Sequence, residues 1–131
     1  MESYPFQTSV WRAQPTYVVD GDSVHLFVDT GFYGYKLLKF RILDIDTPEL
    51  RGGDEESRAR AKEAKVAVQE MFDIYEKTWK VDLRHWPLRI ETQKADSFGR
   101  WLARIFFLND GVEISVAGEL LREGLAIPYE K

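Results

Sequence analysis

The sequence predicts an α+β fold that is mainly β: a five-stranded barrel with one long amphipathic helix and a short C-terminal helix. Three observations lead there. Five segments carry strand-like alternation or β-branched enrichment, and one central stretch changes to helical period. At 131 residues, with 44% hydrophobic and 14% aromatic content, the chain also has apolar material for one compact core rather than two. A single domain over residues 1–131 is the expectation.

Residues 16–19 and 23–29 are rich in β-branched and apolar side chains and flank Asp20-Gly21-Asp22, a strong turn signal, so they read as a β-hairpin. Gly31 and Gly34 bracket a second turn, and a long third strand is predicted over 35–45, ended by Thr47-Pro48. From Asp54 to about Lys77, Ala64, Val68, Met71, Phe72 and Tyr75 recur at helical spacing with charges between them. Residues 86–92 and 101–108 supply two further strands, the second followed by the turn Asn109-Asp110-Gly111. Ser115 can cap a helix over 116–123, with Gly124 where a left-handed end is wanted. Closing five short strands into a partly open barrel is the simplest way to bury them.

Composition narrows the chemistry. No cysteine is present, which excludes disulfides and thiolate metal sites, and His25 and His85 are too few for a zinc cluster. Any metal would be held by oxygen. A net charge of -4 argues mildly against a passive nucleic-acid binder with a broad basic face, whereas an enzyme needs only local positive charge. No window approaches the roughly 18 apolar residues of a span, and Met1-Glu2-Ser3 does not begin a basic-then-apolar leader. The expectation is a soluble monomer without a membrane partner, with its compartment open.

Two acidic segments and two arginines stand out. Asp20-Gly21-Asp22 by itself is an ordinary acidic turn. Asp46-Thr47-Pro48-Glu49 closes the third strand, and Pro48 holds Thr47 in an extended conformation, partly fixing its carbonyl direction. Aspartates and an aimed carbonyl suit a hard cation such as Ca²⁺, which takes about six to eight oxygen ligands in irregular geometry. Arg41 lies in the same strand, and Arg100 follows the turn Asp96-Ser97-Phe98-Gly99. Guanidinium forks match phosphate oxygens, so two of them can clamp a phosphodiester. Ideal alternation would put Arg41 on the opposite sheet face from Asp46, so the strand is expected to bend or bulge between them.

In this order, Val19 to Val24, Phe40 to Leu43 with Asp46 to Glu49, Asp96 to Arg100, and Leu121 to Ala126 resemble the staphylococcal nuclease (thermonuclease) family over about residues 16–127. The resemblance implies an OB-fold and Ca²⁺-dependent hydrolysis of DNA and RNA that leaves 3′-phosphates. It implies metal ligation by Asp22, Asp46 and the Thr47 carbonyl, and phosphate contacts from Arg41 and Arg100. Glu49 falls on the glutamate that acts on water, as base or as orienter, and Asp20 on an outer-sphere carboxylate.

Some positions depart from the family pattern. Ser97 and Phe98 stand where a lysine and a tyrosine that touch phosphate are usual, and Tyr129 alone is expected to replace the contacts of the aromatic tail of longer members. Asp44 is an extra carboxylate, read either as solvent-facing or as a neighbour of the metal ligands. Arg58, Arg60, Lys62 and Lys65 form either a solvated helix face or a guide for polynucleotide. Trp11, Trp79, Trp86 and Trp101 read as packing residues before base-stacking platforms. The competing function is a non-catalytic OB-fold module that only holds nucleic acid. The presence of Asp22, Arg41, Asp46, Glu49 and Arg100 together favours the enzyme.

Overall fold

The computed structural model describes residues 1–4, 9–50, 53–73, 82–94 and 99–129. The first three strands, β1 (Ser9–Asp20), β2 (Ser23–Gly31) and β3 (Gly34–Ile42), form an antiparallel meander. A two-residue strand β4 (Ile45–Asp46) follows, then helix α1 (Glu55–Phe72), strands β5 (Leu88–Gln93), β6 (Trp101–Asn109) and β7 (Val112–Ser115), helix α2 (Val116–Arg122), and strand β8 (Ile127–Pro128). The main sheet runs β3-β2-β1-β5-β6-β7, and a parallel pairing of β3 with β6 closes its first five strands into a barrel. The predicted five-stranded OB-type barrel with two helices is the fold observed. Among the described residues no helix is long and apolar enough to cross a membrane.

Alternation fills the barrel. Val24, Leu26 and Val28 of β2, Phe40 and Ile42 of β3, Ile90 of β5, and Ala103 and Ile105 of β6 are all buried, as a period of two requires of one sheet face. β1 begins earlier than the predicted start at Thr16, because its first half pairs with β5 from Ser9 opposite Thr92 to Ala13 opposite Leu88. Its register against β2 shifts between Pro15 and Tyr17. Proline has no N–H to give a ladder, so the strand bends there and serves two neighbours.

Helix α1 starts where Asp54 Oδ1 accepts the Ser57 amide at 2.7 Å, a side-chain N-cap. It buries Ala61, Ala64, Val68 and Phe72, a stripe at helical spacing whose first half is small enough to lie close against the barrel rim. The helix ends at Phe72 with Asp73 left-handed (φ 52°), short of the predicted Lys77. Tyr75, Lys77 and Trp79 lie outside the described residues. Ser115 caps α2, its Oγ accepting the Gly118 amide at 3.1 Å, and Gly124 adopts φ 72° just beyond it, as the sequence predicts.

The predicted third strand over 35–45 is two strands. β3 stops at Ile42, Leu43 and Asp44 turn with Asp44 at φ 74°, and β4 resumes at Ile45. Aspartate tolerates the left-handed region better than most residues. β4 then pairs with β8, Ile45 opposite Pro128 and Asp46 opposite Ile127. Neither β7 nor β8 is foreseen from the sequence, and the strand predicted from Trp86 begins at Leu88.

Candidate active site at the barrel rim

The acidic turn between β1 and β2 is wound tightly. The Asp22 amide donates to Asp20 Oδ1 at 3.1 Å, and Ile42 donates to the Asp22 carbonyl at 2.8 Å, which ties the turn to β3. A Cβ on Gly21 would lie 2.8 Å from Ala64 Cβ of α1 and about 3.0 Å from Thr47 Cγ2. Glycine is therefore required by the close approach of helix and loop, and that approach presses Thr47 onto the acidic turn. The Thr47 amide donates to Asp22 Oδ2 at 3.2 Å, while Ser23 Oγ donates to Asp22 Oδ1 at 3.3 Å.

The turn at Leu43 and Asp44 answers the alternation problem. It lets the chain double back so that Arg41 Nη2 reaches Asp46 Oδ1 at 3.1 Å and the Ile45 carbonyl at 3.4 Å. The same nitrogen stands 3.8 Å from Asp22 Oδ2. Two carboxylates, one from each acidic segment, thus converge on one guanidinium nitrogen. The Tyr129 ring covers the Arg41 guanidinium at 5.0 Å, and its amide donates to the Asp44 carbonyl at 3.0 Å.

The barrel seam delivers the second arginine. β3 and β6 run parallel with Phe40 opposite Trp101 and Arg41 opposite Leu102, so Arg100 enters at the rim beside β3. Its Nη1 donates to Ser23 Oγ at 2.9 Å, and Ser23 is the residue opposite Arg41 in the β2–β3 ladder. Ser23 therefore links the acidic turn to both arginines. Glu49 and Arg100 line one open depression of about 500 Å³ together with Asp20 and Ser23. Asp46 faces a separate depression of about 550 Å³, walled by Arg60 and Glu63 of α1 and by the residues after α2. Asp22, Arg41, Asp46 and Thr47 are thus joined by contact, Arg100 joins them through Ser23, and Glu49 lies across the depression.

Electrostatics set Asp20 apart. Burial first, then the hydrogen bond and negative charge of Asp22, push the Asp20 carboxyl up to about 6. Like charges in one turn oppose double ionisation, and a cation placed beside Asp22 would relieve that opposition.

The residues present fit a hard cation. Thr47 Oγ1 is buried with no hydrogen-bond partner, an unsatisfied oxygen beside two convergent carboxylates. The donors available are carboxylate, hydroxyl and main-chain oxygens, the set that suits Ca²⁺. Among the described residues no three His, Cys, Asp or Glu side chains gather around one point, so carbonyl oxygen and water would complete the shell.

The remaining sequence candidates have other uses. Asp44 forms a two-point pair with Arg104, at 2.8 and 3.3 Å, and so braces β6 rather than facing Asp22. Arg58 bonds the Gly53 carbonyl and Arg60 pairs with Glu56, which occupies two of the four helix cations locally. Trp11 packs on the core with its indole N–H on Thr92 Oγ1, Trp86 stacks with other rings, and Trp101 is partly exposed. Asp96, Ser97 and Phe98 lie outside the described residues. Sequence reasoning did not single out Ser23, whose signal was its place directly after the acidic turn, nor the packing of Gly21 against Ala64.

Residues 39–131 match the model of the family described as Staphylococcal nuclease homologue. No curated protein matches the chain.

Proposed function

The chain belongs to the family of staphylococcal nuclease homologues, and on that footing we propose that it is a Ca²⁺-dependent phosphodiesterase hydrolysing DNA and RNA strands. Membership gives it a nuclease-like or nucleic-acid-binding function. The observation that carries the finer reading is the convergence of Asp22 and Asp46 on the Arg41 guanidinium, with Arg100 held beside them by Ser23. Carboxylates for a cation and two fixed guanidinium groups for a phosphate meet at one rim.

Phosphodiester hydrolysis needs a water placed in line with the leaving oxygen and compensation of charge on the phosphoryl oxygens. Asp22, Asp46 and the Thr47 carbonyl would hold Ca²⁺, which supplies Lewis-acid polarisation of a phosphoryl oxygen when bound. Arg41 and Arg100 grip the phosphate and strengthen their hold as charge develops. Glu49, exposed across the depression, takes up or directs the proton of the attacking water. Asp20 shapes the turn through the Asp22 amide and orients nearby water. Ser23 positions Arg100 and keeps its fork from swinging into solvent.

The test is strand length. Single-stranded DNA and RNA are incubated with the protein in Ca²⁺ or in chelator, beside a Glu49→Ala, Arg100→Ala double variant. Shortening that requires Ca²⁺ and that the variant loses is the expected result. Intact strands at high protein concentration, with binding still measurable, would leave a nucleic-acid-binding module in place of the enzyme.

A further inference from the structure

The depression that holds Glu49 and Arg100 continues onto the outward face of the first three strands. His25 of β2 and Lys39 of β3 line it and stand opposite each other in the ladder. One strand further, Tyr17 stands opposite His25, the two rings 5.5 Å apart and tilted by 50°. Lys65 of α1 brings its ammonium to 5.8 Å from the Tyr17 ring. None of these side chains is part of the core: their strand neighbours Val18, Val24, Leu26 and Phe40 point inward and are buried, whereas Tyr17 is 54% exposed and Lys39 is also exposed.

This strip is unusual in a chain of net charge -4. Lys39, Lys65 and Arg100 put three cations along one face, and the carboxylates Asp20 and Glu49 share the depression with Lys39 and Arg100. An open tyrosine lies between the cations. Alternating positive charge with an exposed ring is how proteins bind single strands: the cations follow the phosphates and the ring takes a base by its face. A duplex keeps its base faces stacked and has little use for such a ring.

We propose that Tyr17, His25, Lys39 and Lys65 form a subsite for single-stranded polynucleotide, in which Tyr17 stacks a base flanking the phosphodiester held at Arg41 and Arg100. The inference rests on the phosphodiesterase reading only for where that phosphodiester lies. Tyr17 is the stacking platform, His25 buttresses its ring from the next strand, and Lys39 and Lys65 meet the phosphates on either side. Cleavage of long single strands then draws on contacts that a mononucleotide substrate does not reach.

The experiment has a binding arm and a cutting arm. Binding of a short labelled single strand is followed by fluorescence anisotropy in chelator, so that nothing is cut, for the unaltered protein and for Tyr17→Ala, Tyr17→Phe and Lys39→Glu. Tyr17→Ala is expected to weaken binding about tenfold, and Tyr17→Phe to leave it unchanged. Lys39→Glu is expected to weaken binding and flatten its dependence on salt. A duplex of the same sequence should not respond to Tyr17→Ala. In Ca²⁺, the variants should cut a mononucleotide aryl phosphodiester at the unaltered rate and a long strand with raised KM. Equal single-strand binding by Tyr17→Ala and Lys39→Glu, or no binding by the unaltered protein, would overturn the subsite. So would an equal loss on the mononucleotide substrate, which would place the damage at the rim. Failure of the unaltered protein to cut either substrate would sink the phosphodiesterase reading alone, and the binding arm would still decide the subsite.

Discussion

At one end of the β2–β3 hairpin three rings lie nearly parallel: Phe27 and Tyr35 are 5.6 Å apart, Tyr35 and Trp86 5.8 Å, and Phe27 and Trp86 6.1 Å. Arg12 covers Trp86 at 5.1 Å and pairs with Asp29 at 2.7 Å. At the other end, the same two strands and the turn that enters β2 present Asp22, Ser23 and Arg41 beside a buried, unpartnered Thr47 hydroxyl, with Asp20 held partly protonated near pH 6. The first end stabilises the sheet by covering it with apolar area and cation–ring contact. The second concentrates buried charge that stabilises little and is useful for binding. On the proposed function the strands separate stability from chemistry along their length, and substitutions at the two ends should separate the two properties.

The largest effect is expected at the polar end. Arg100→Ala should slow Ca²⁺-dependent cutting by about 10²–10³-fold and affect the urea midpoint less, a hydrogen bond such as the one it gives Ser23 being worth about 1 kcal/mol. Rate and midpoint measured on one preparation check this. Gly21→Ala is the substitution that should damage both properties. Overpacking against Ala64 and Thr47 costs about 1–3 kcal/mol, and displacement of Thr47 should reduce cutting as well. Trp86→Ala at the aromatic end should lower stability by about 2 kcal/mol and leave cutting per folded molecule unchanged. Loss of cutting there would break the separation.

The smallest expected effect is a pH dependence. Asp20 binds its proton more tightly folded, near 6, than at its ordinary value of 3.8. Its contribution is present at low pH and is lost as pH rises through about 6. In chelator, the stability of Asp20→Asn relative to the unaltered protein should therefore grow from about pH 4 to about pH 6 and level off above. Thermal midpoints across that range measure it.

Most of the barrel was legible because its signals are local. Val24, Leu26 and Val28 alternate without interruption, Asp54 and Ser115 are side-chain caps, and Gly124 marks a helix end within four residues of sequence. The break at Asp44 has a weak local signal, an aspartate, a residue type that tolerates positive φ better than most, and only the mismatch of faces between Arg41 and Asp46 hinted at it. β8 has no local signal at all, since Ile127-Pro128 becomes a strand only by pairing with β4. At the rim, the acidic turn and the arginines could be named from residue types and their order. The place of Ser23 between Arg41 and Arg100 could not, because it depends on the parallel seam between β3 and β6. The need for Gly21 depends likewise on how closely α1 packs.

The most direct measurement is the rate of single-strand shortening against Ca²⁺ concentration, for the unaltered protein and for Asp46→Asn. Asp46 is half exposed and bonded to Arg41, so the substitution leaves the core untouched. Calcium ligation by Asp46 predicts a saturating Ca²⁺ dependence, abolished by chelator, with Asp46→Asn shifted to much higher Ca²⁺. Shortening that persists in chelator, or the same Ca²⁺ curve for both proteins, would contradict it.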